Sequence, residues 1–201
     1  MRSIFFAFAL ALVSFAAPAF AQSDGTPVNV RGTIDKVDGK TLMMTTREGP
    51  KASIAMNADV AISYPMKKSL ADIKPGDFIA NTSIKGADGK LHALEIHLFP
   101  LDRHPAEVQR PYDLAPDSLM TNASVGEVGS VSGGKTLTVT VKDTKSVIEV
   151  GPDVPVVMAM PGDAALLKPG AAVFIAAVKK AYGSLSTSRI TVEKDGVKPP
   201  M

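Results

Sequence analysis

Residues 59–98 match residues 153–192 at a constant offset of 94 without a gap, so the fold must be built from two copies of one unit. The anchors are specific. Asp59-Val60 matches Asp153-Val154, Lys74-Pro75-Gly76 matches Lys168-Pro169-Gly170, Lys85 matches Lys179, Gly89 matches Gly183, Leu91 matches Leu185 and Ile96 matches Ile190. Upstream, Gly32-Thr33-Ile34 faces Gly126-Glu127-Val128 at the same offset, and Lys40-Thr41-Leu42 faces Lys135-Thr136-Leu137 after a one-residue slip. Each unit is about 70 residues, small for a lone core, and the chain has no cysteine to staple it. Packing of the copies against each other is therefore expected.

Within each unit, short runs of Val, Ile, Thr and Leu are broken by turn signals at Asp38-Gly39, Asp88-Gly89 and Gly133-Gly134. This predicts strands near 28–37, 41–47, 51–56, 60–63, 77–85 and 91–98, with counterparts in the second copy. A single helical turn is expected at Ser69–Ile73 and at Asp163–Leu167, before each Lys-Pro-Gly corner. Five or six short antiparallel strands close most economically into a small barrel of the OB type, which removes exposed sheet edges. The fold class expected is all-β: two tandem small antiparallel OB-like barrels, at 22–98 and 123–193, joined by a Pro-rich strap at 99–122 and followed by a tail at 194–201.

Four segments carry a resemblance: Gly32-Thr33-Ile34, Gly39-Lys40-Thr41-Leu42, Leu70-Ala71-Asp72-Ile73-Lys74-Pro75-Gly76-Asp77 and Asp88-Gly89-Lys90-Leu91-His92-Ala93. In these the chain resembles the DUF5666 family of exported bacterial OB-like β-barrel domains. The second copy departs from the pattern, with Ala171 in place of Asp77 and Tyr182-Gly183 in place of Asp88-Gly89. The resemblance implies a fold and an exported location, and no activity.

Export is also predicted by the first two dozen residues. Arg2 precedes an uncharged run from Ile4 to Ala17, Pro18 follows, and Ala19-Phe20-Ala21 offers small residues where a signal peptidase needs them. Cleavage after Ala21 would leave a periplasmic chain beginning at Gln22, with no membrane insertion thereafter. Loss of Arg2 takes the basic count from 22 to 21 against 20 acidic residues, so neither a nucleic-acid footprint nor an anionic-membrane patch is indicated. The chain has no Trp, which also argues against a base-stacking platform.

The connector at 99–122 holds four prolines, Pro100, Pro105, Pro111 and Pro116, among Phe99, Leu101, Tyr112, Leu114, Leu119 and Met120. Such a composition suits a strap laid over a barrel rather than a solvated tether. It serves either as a brace that fixes the barrels' orientation or as a recognition loop, with Arg110, Pro111, Tyr112, Asp113 and Leu114 as the partner-binding segment.

All three histidines, His92, His97 and His104, lie in or just before this connector. On a strand, positions 92 and 97 point to opposite faces, whereas Glu95 and His97 share one. A metal site would use Glu95 and His97 with Asp102 or His104 folding back; the repeat counterparts Arg189 and Thr191 cannot ligate. Met158 and Met160 bring two thioethers together, and soft thioethers favour copper, although methionine is also an ordinary core filler. No nucleophile elbow, phosphate loop or dinucleotide motif is present, so a hydrolase ranks third. The expectation is an exported, non-catalytic module binding a periplasmic protein or small ligand, with a copper handler as the alternative.

Overall fold

A computed structural model of the protein describes residues 25–200. The expected leader, 1–21, and Met201 lie outside the described residues. The chain forms strands β1 (Thr26–Asp38), β2 (Thr41–Thr46), β3 (Lys51–Lys68), β4 (Phe78–Lys85), β5 (Leu91–Leu98) and β6 (Val108–Pro111). It continues with β7 (Leu119–Val131), β8 (Gly134–Val141), β9 (Thr144–Val150), β10 (Val156–Pro161), β11 (Ala172–Lys179) and β12 (Leu185–Val192). The fold is all-β, and the single helical turns fall at Leu70–Asp72 and Ala164–Leu166 as expected. Each is capped by its own carboxylate: Asp72 accepts from the Ser69 amide at 2.7 Å and Asp163 from the Ala165 amide at 2.8 Å.

The strands pair into two closed rings that do not follow the repeat. In ring A, β1 pairs with β2 and β11, β2 with β3, β11 with β12, and β12 closes onto β3 in parallel. In ring B, β7 pairs with β8 and β4, β8 with β9, β4 with β5, and β5 closes onto β9 in parallel. Each ring thus takes three strands from one copy and the last hairpin from the other. The boundaries 22–98 and 123–193, expected to enclose separate barrels, are corrected: each of those spans contributes to both rings. The expectation of purely antiparallel barrels is corrected too, since each ring closes through one parallel seam.

The cores are exchanged along with the strands. One apolar cluster joins Ile79, Ile96 and Leu98 of the first copy to Val125, Leu137, Val139 and Ile148 of the second. The other joins Ile34, Leu42, Met44 and Ile54 to Val173, Ile175 and Ile190. Neither half of the chain can bury its own apolar strand faces without the other.

In the first copy the hairpin is delivered by β3. Strands expected at 51–56 and 60–63 are one strand of 18 residues, Lys51–Lys68, because no turn interrupts them. Asn57–Val60 instead bulge against the single residue Ser188, and pairing resumes at Ala61. At roughly 3.3 Å per residue such a strand runs about 60 Å, far enough to deliver the next hairpin into the other ring. Beyond the bulge β3 pairs antiparallel with β10, and Pro65 lies opposite Ala159, its own counterpart at offset 94. A local two-fold axis passes through this pair.

The Lys-Pro-Gly corners lock the exchange. Gly76 and Gly170, both at positive φ, donate their amides to Val125 and Ile34 of the opposite copy at 2.8 Å each. These bonds make Ile34 and Val125 equivalent, an offset of 91, so the expected match of Gly32-Thr33-Ile34 to Gly126-Glu127-Val128 is out by three residues. The β7–β8 hairpin regains the difference. Val37 pairs with Leu42 where Val128 pairs with Leu137, and the second hairpin extends four residues further, returning the offset to 95.

Candidate functional site

Beside the β3–β10 axis, strands of both rings and the connector enclose a cleft of about 550 Å³. A second stretch of about 340 Å³ adjoins it and shares His97, Phe99, Arg103, Phe174 and Arg189. Thr82 of β4 and Glu95 and His97 of β5 line it from one side, Phe174 of β11 and Arg189 of β12 from another, and Met120 and Asn122 of β7 complete the wall. The connector closes over it with Phe99, Arg103, His104 and Tyr112.

Strand parity brings Glu95 here, with the help of a bulge. Thr82 pairs with Glu95 and Ser83 with Ala93, so Leu94 is skipped and Ala93, Ile96 and Leu98 all reach the core. Glu95 and His97 share the other face, as strand geometry predicts. His92 is thereby returned to that same face, which corrects the expectation that His92 and His97 oppose each other. His92 lies elsewhere, with its Nε2 3.0 Å from Asp88 and its Nδ1 3.8 Å from Glu149.

Glu95 is 4% exposed. The Thr82 hydroxyl donates to its Oε1 at 2.6 Å, and His97 Nε2 lies 3.4 Å from its Oε2. A buried carboxylate is tolerable only when hydrogen-bonded or charge-paired, and this one has a short neutral bond and one long imidazole contact. Its field helps burial push the Tyr112 hydroxyl upward in pKa.

Arg31 of β1 forms the second polar anchor. It is 6% exposed, packs between the rings of Tyr112 and Phe174 at 5.5 and 5.2 Å, and donates to Asp113 at 2.8 Å. Asn29 donates to the same carboxylate at 3.0 and 3.1 Å. Burial alone would raise the Asp113 pKa, but these two donors outweigh it and hold the carboxyl below its ordinary range. The Tyr112–Asp113 part of the expected partner-binding segment is therefore fastened onto ring A. Arg110 and Pro111 are exposed on β6, which pairs with the start of β7, and Leu114 is half-buried. The connector is thus not a plain strap over 99–122, because it contains β6 and ends inside β7.

The expected metal residues are not brought together as one ligand set. Glu95, His97 and His104 line one cleft, but His104 stacks on Phe78 with ring centroids 5.2 Å apart. Asp102 is exposed and does not line the cleft. Met158 packs against the ring B core, opposite Met66, while Met160 borders the adjoining stretch. Among the described residues, the one group of three or more His and carboxylate side chains whose ligand atoms all lie within 4.8 Å of one another is Asp88, His92 and Glu149. That cluster already has a cation, because Lys90 bonds Glu149, and the His92 ring nitrogens face both carboxylates. It sits where β5 meets β9 and fastens that seam.

Sequence reasoning missed Arg31, Arg103, Phe174 and Arg189. The only signal available was that Arg189 stands at the repeat position of Glu95. No family model, curated protein or solved structure matches the chain.

Proposed function

We propose that this chain is an exported, non-catalytic binding protein whose two OB-like barrels, with exchanged last hairpins, hold a small ligand in the cleft beside their common axis. The observation that carries this reading is Glu95: a carboxylate removed from water at the base of an open, partly aromatic cleft of about 550 Å³. Cavities of this size with a few convergent polar groups are the usual form of small-molecule sites. Arg31, Tyr112 and Asp113 hold the connector in place over the cleft, so the site is built before a ligand arrives. The chain's leader-like start and its resemblance to the DUF5666 family support an exported location.

The test is thermal unfolding of purified residues 22–201 against a library of small polar metabolites. A true ligand at 100 times its Kd is expected to add about 2.7 kcal/mol of stability, and Phe174→Ala should remove that gain. If no compound shifts the midpoint, or if the shift survives Phe174→Ala, the cleft is not the binding site.

A further inference from the structure

Resting on that reading of the cleft, we infer that its ligand is a small zwitterion, with an ammonium group directed at Glu95 and a carboxylate held between Arg103 and Arg189. The polarity of the cleft is divided. On the ring B side two buried acceptors have capacity left: Glu95, with one short hydroxyl bond and one long imidazole contact, and the Asn122 side-chain oxygen, which is buried with no hydrogen-bond partner. An ionised carboxylate can accept about four hydrogen bonds, so Glu95 has capacity left. The buried cation nearby, Arg31, pairs with Asp113 through one terminal nitrogen, keeps a buried Nε without a partner, and is not among the residues lining the cleft. A ligand that completes this side must bring donors, and a positive charge suits a desolvated carboxylate better than a hydroxyl does.

Arg103 of the connector and Arg189 of β12 line both stretches of the cleft, and neither forms an ion pair among the described residues. Guanidinium groups take carboxylates through paired N–H donors. The repeat itself produces this division: Glu95 and Arg189 are counterparts at offset 94, so the pseudo-symmetric scaffold presents opposite charges at equivalent places in one cleft. An inorganic anion would leave the acceptors unanswered, and a neutral sugar would leave the guanidinium groups unanswered. An α-amino acid, or a short peptide with free ends, answers both.

The experiment is isothermal titration of residues 22–201 with each of the twenty common L-amino acids and with diglycine, using D-glucose and inorganic phosphate as comparison probes. At least one zwitterion is expected to bind at one per chain, and its N-acetyl derivative and its carboxamide should each bind about tenfold or more weakly. Glu95→Gln should remove the preference for the free amine. Arg189→Ala, at an exposed position that leaves the fold intact, should remove the preference for the free carboxylate. Equal binding of the N-acetyl derivative would overturn the inference. Binding of phosphate or glucose alone, lost in Arg189→Ala, would overturn it while leaving the cleft as a binding site; silence from every probe would overturn it as well, and the unfolding test with the wider library then decides the cleft itself.

Discussion

Rings A and B are built from equivalent strands, yet they close differently. In ring A the closing seam is one continuous strand, β3, which holds β12 through six residue pairs. In ring B the equivalent stretch is broken: Gly151, Pro152 and Pro155 interrupt it, β9 ends at Val150, and β10 begins at Val156. β5 is therefore held by two residue pairs to β9 and three to β10. Proline removes a ladder donor and fixes φ, so the break is local chemistry rather than a different fold. Where the backbone seam is short, charge fills in. Lys90, His92, Asp88 and Glu149 gather at the β5–β9 contact, whereas the equivalent place in ring A has Ser184, Ser186 and Ala55.

The connector adds a second difference. Arg31 and Asn122 are counterparts by the β1–β7 offset of 91, and each lies opposite a counterpart residue, Phe174 or Ala80. Arg31 with Phe174 gives ring A a cationic and aromatic clamp for Tyr112 and Asp113, while ring B has an amide facing a methyl group. A near-symmetric scaffold thus acquires one asymmetric cleft.

The most severe way to break the comparison is to cut the chain. Because each core draws on both copies, residues 22–98 and residues 99–201 made separately should show no cooperative unfolding, and mixing them should restore one transition in circular dichroism. A cooperative monomer of 22–98 would show that the hairpin can close within its own copy.

Next in size are the matched substitutions Ile54→Ala in ring A and Ile148→Ala in ring B, both at fully buried seam positions. Each should cost about 2–5 kcal/mol in denaturant unfolding. Unfolding should stay a single transition in both, because every strand exchange links the cores. Two separated transitions would mean that the rings are independent.

A smaller effect is expected at the clamp. Asp113→Asn leaves Arg31 buried without its counter-charge, but Asp113 is 49% exposed, so water offsets much of the loss and about 1–2 kcal/mol is expected. The pH dependence has a definite sign. A carboxyl held below its ordinary pKa stabilises the fold fully above the unfolded aspartate value of about 3.9 and loses that contribution as pH falls through the lower folded value. Wild type should lose more stability than Asp113→Asn between pH 5 and pH 2; parallel curves would remove Asp113 from this account.

The smallest effect belongs to the ring B seam. Lys90→Ala should cost the least of these substitutions and the cost should shrink further in high salt, since Lys90 is exposed. An equal cost from Ser184→Ala in ring A would erase the charge difference between the seams.

Much of this architecture is legible in the residues. The hairpin turns, the capped turns before Lys-Pro-Gly and the shared face of Glu95 and His97 all follow from local signals. The three-residue error at Gly32-Thr33-Ile34 arose because Gly126-Glu127-Val128 mimics that segment, while only the hairpin length reveals the true register. The bulge at Leu94, which moves His92 to the face of His97, carries no proline or glycine to announce it. Arg31 looked like any strand arginine, because its partners are 82 and 143 positions away, in Asp113 and Phe174.

The amino-acid sequence by itself determined that the chain repeats, that it is all-β, where most strands and both Lys-Pro-Gly corners lie, and that Glu95 and His97 share a face. Those properties depend on turn chemistry and two-residue alternation, which act over a few neighbours. Which hairpin closes which ring was decided only in three dimensions. Repeat-equivalent hairpins present the same apolar face and the same backbone donors, so local pattern cannot distinguish them. β3 in the first copy and the broken β9–β10 stretch in the second each carry the following hairpin past its own ring, and so Glu95 and Arg189 come to line one cleft.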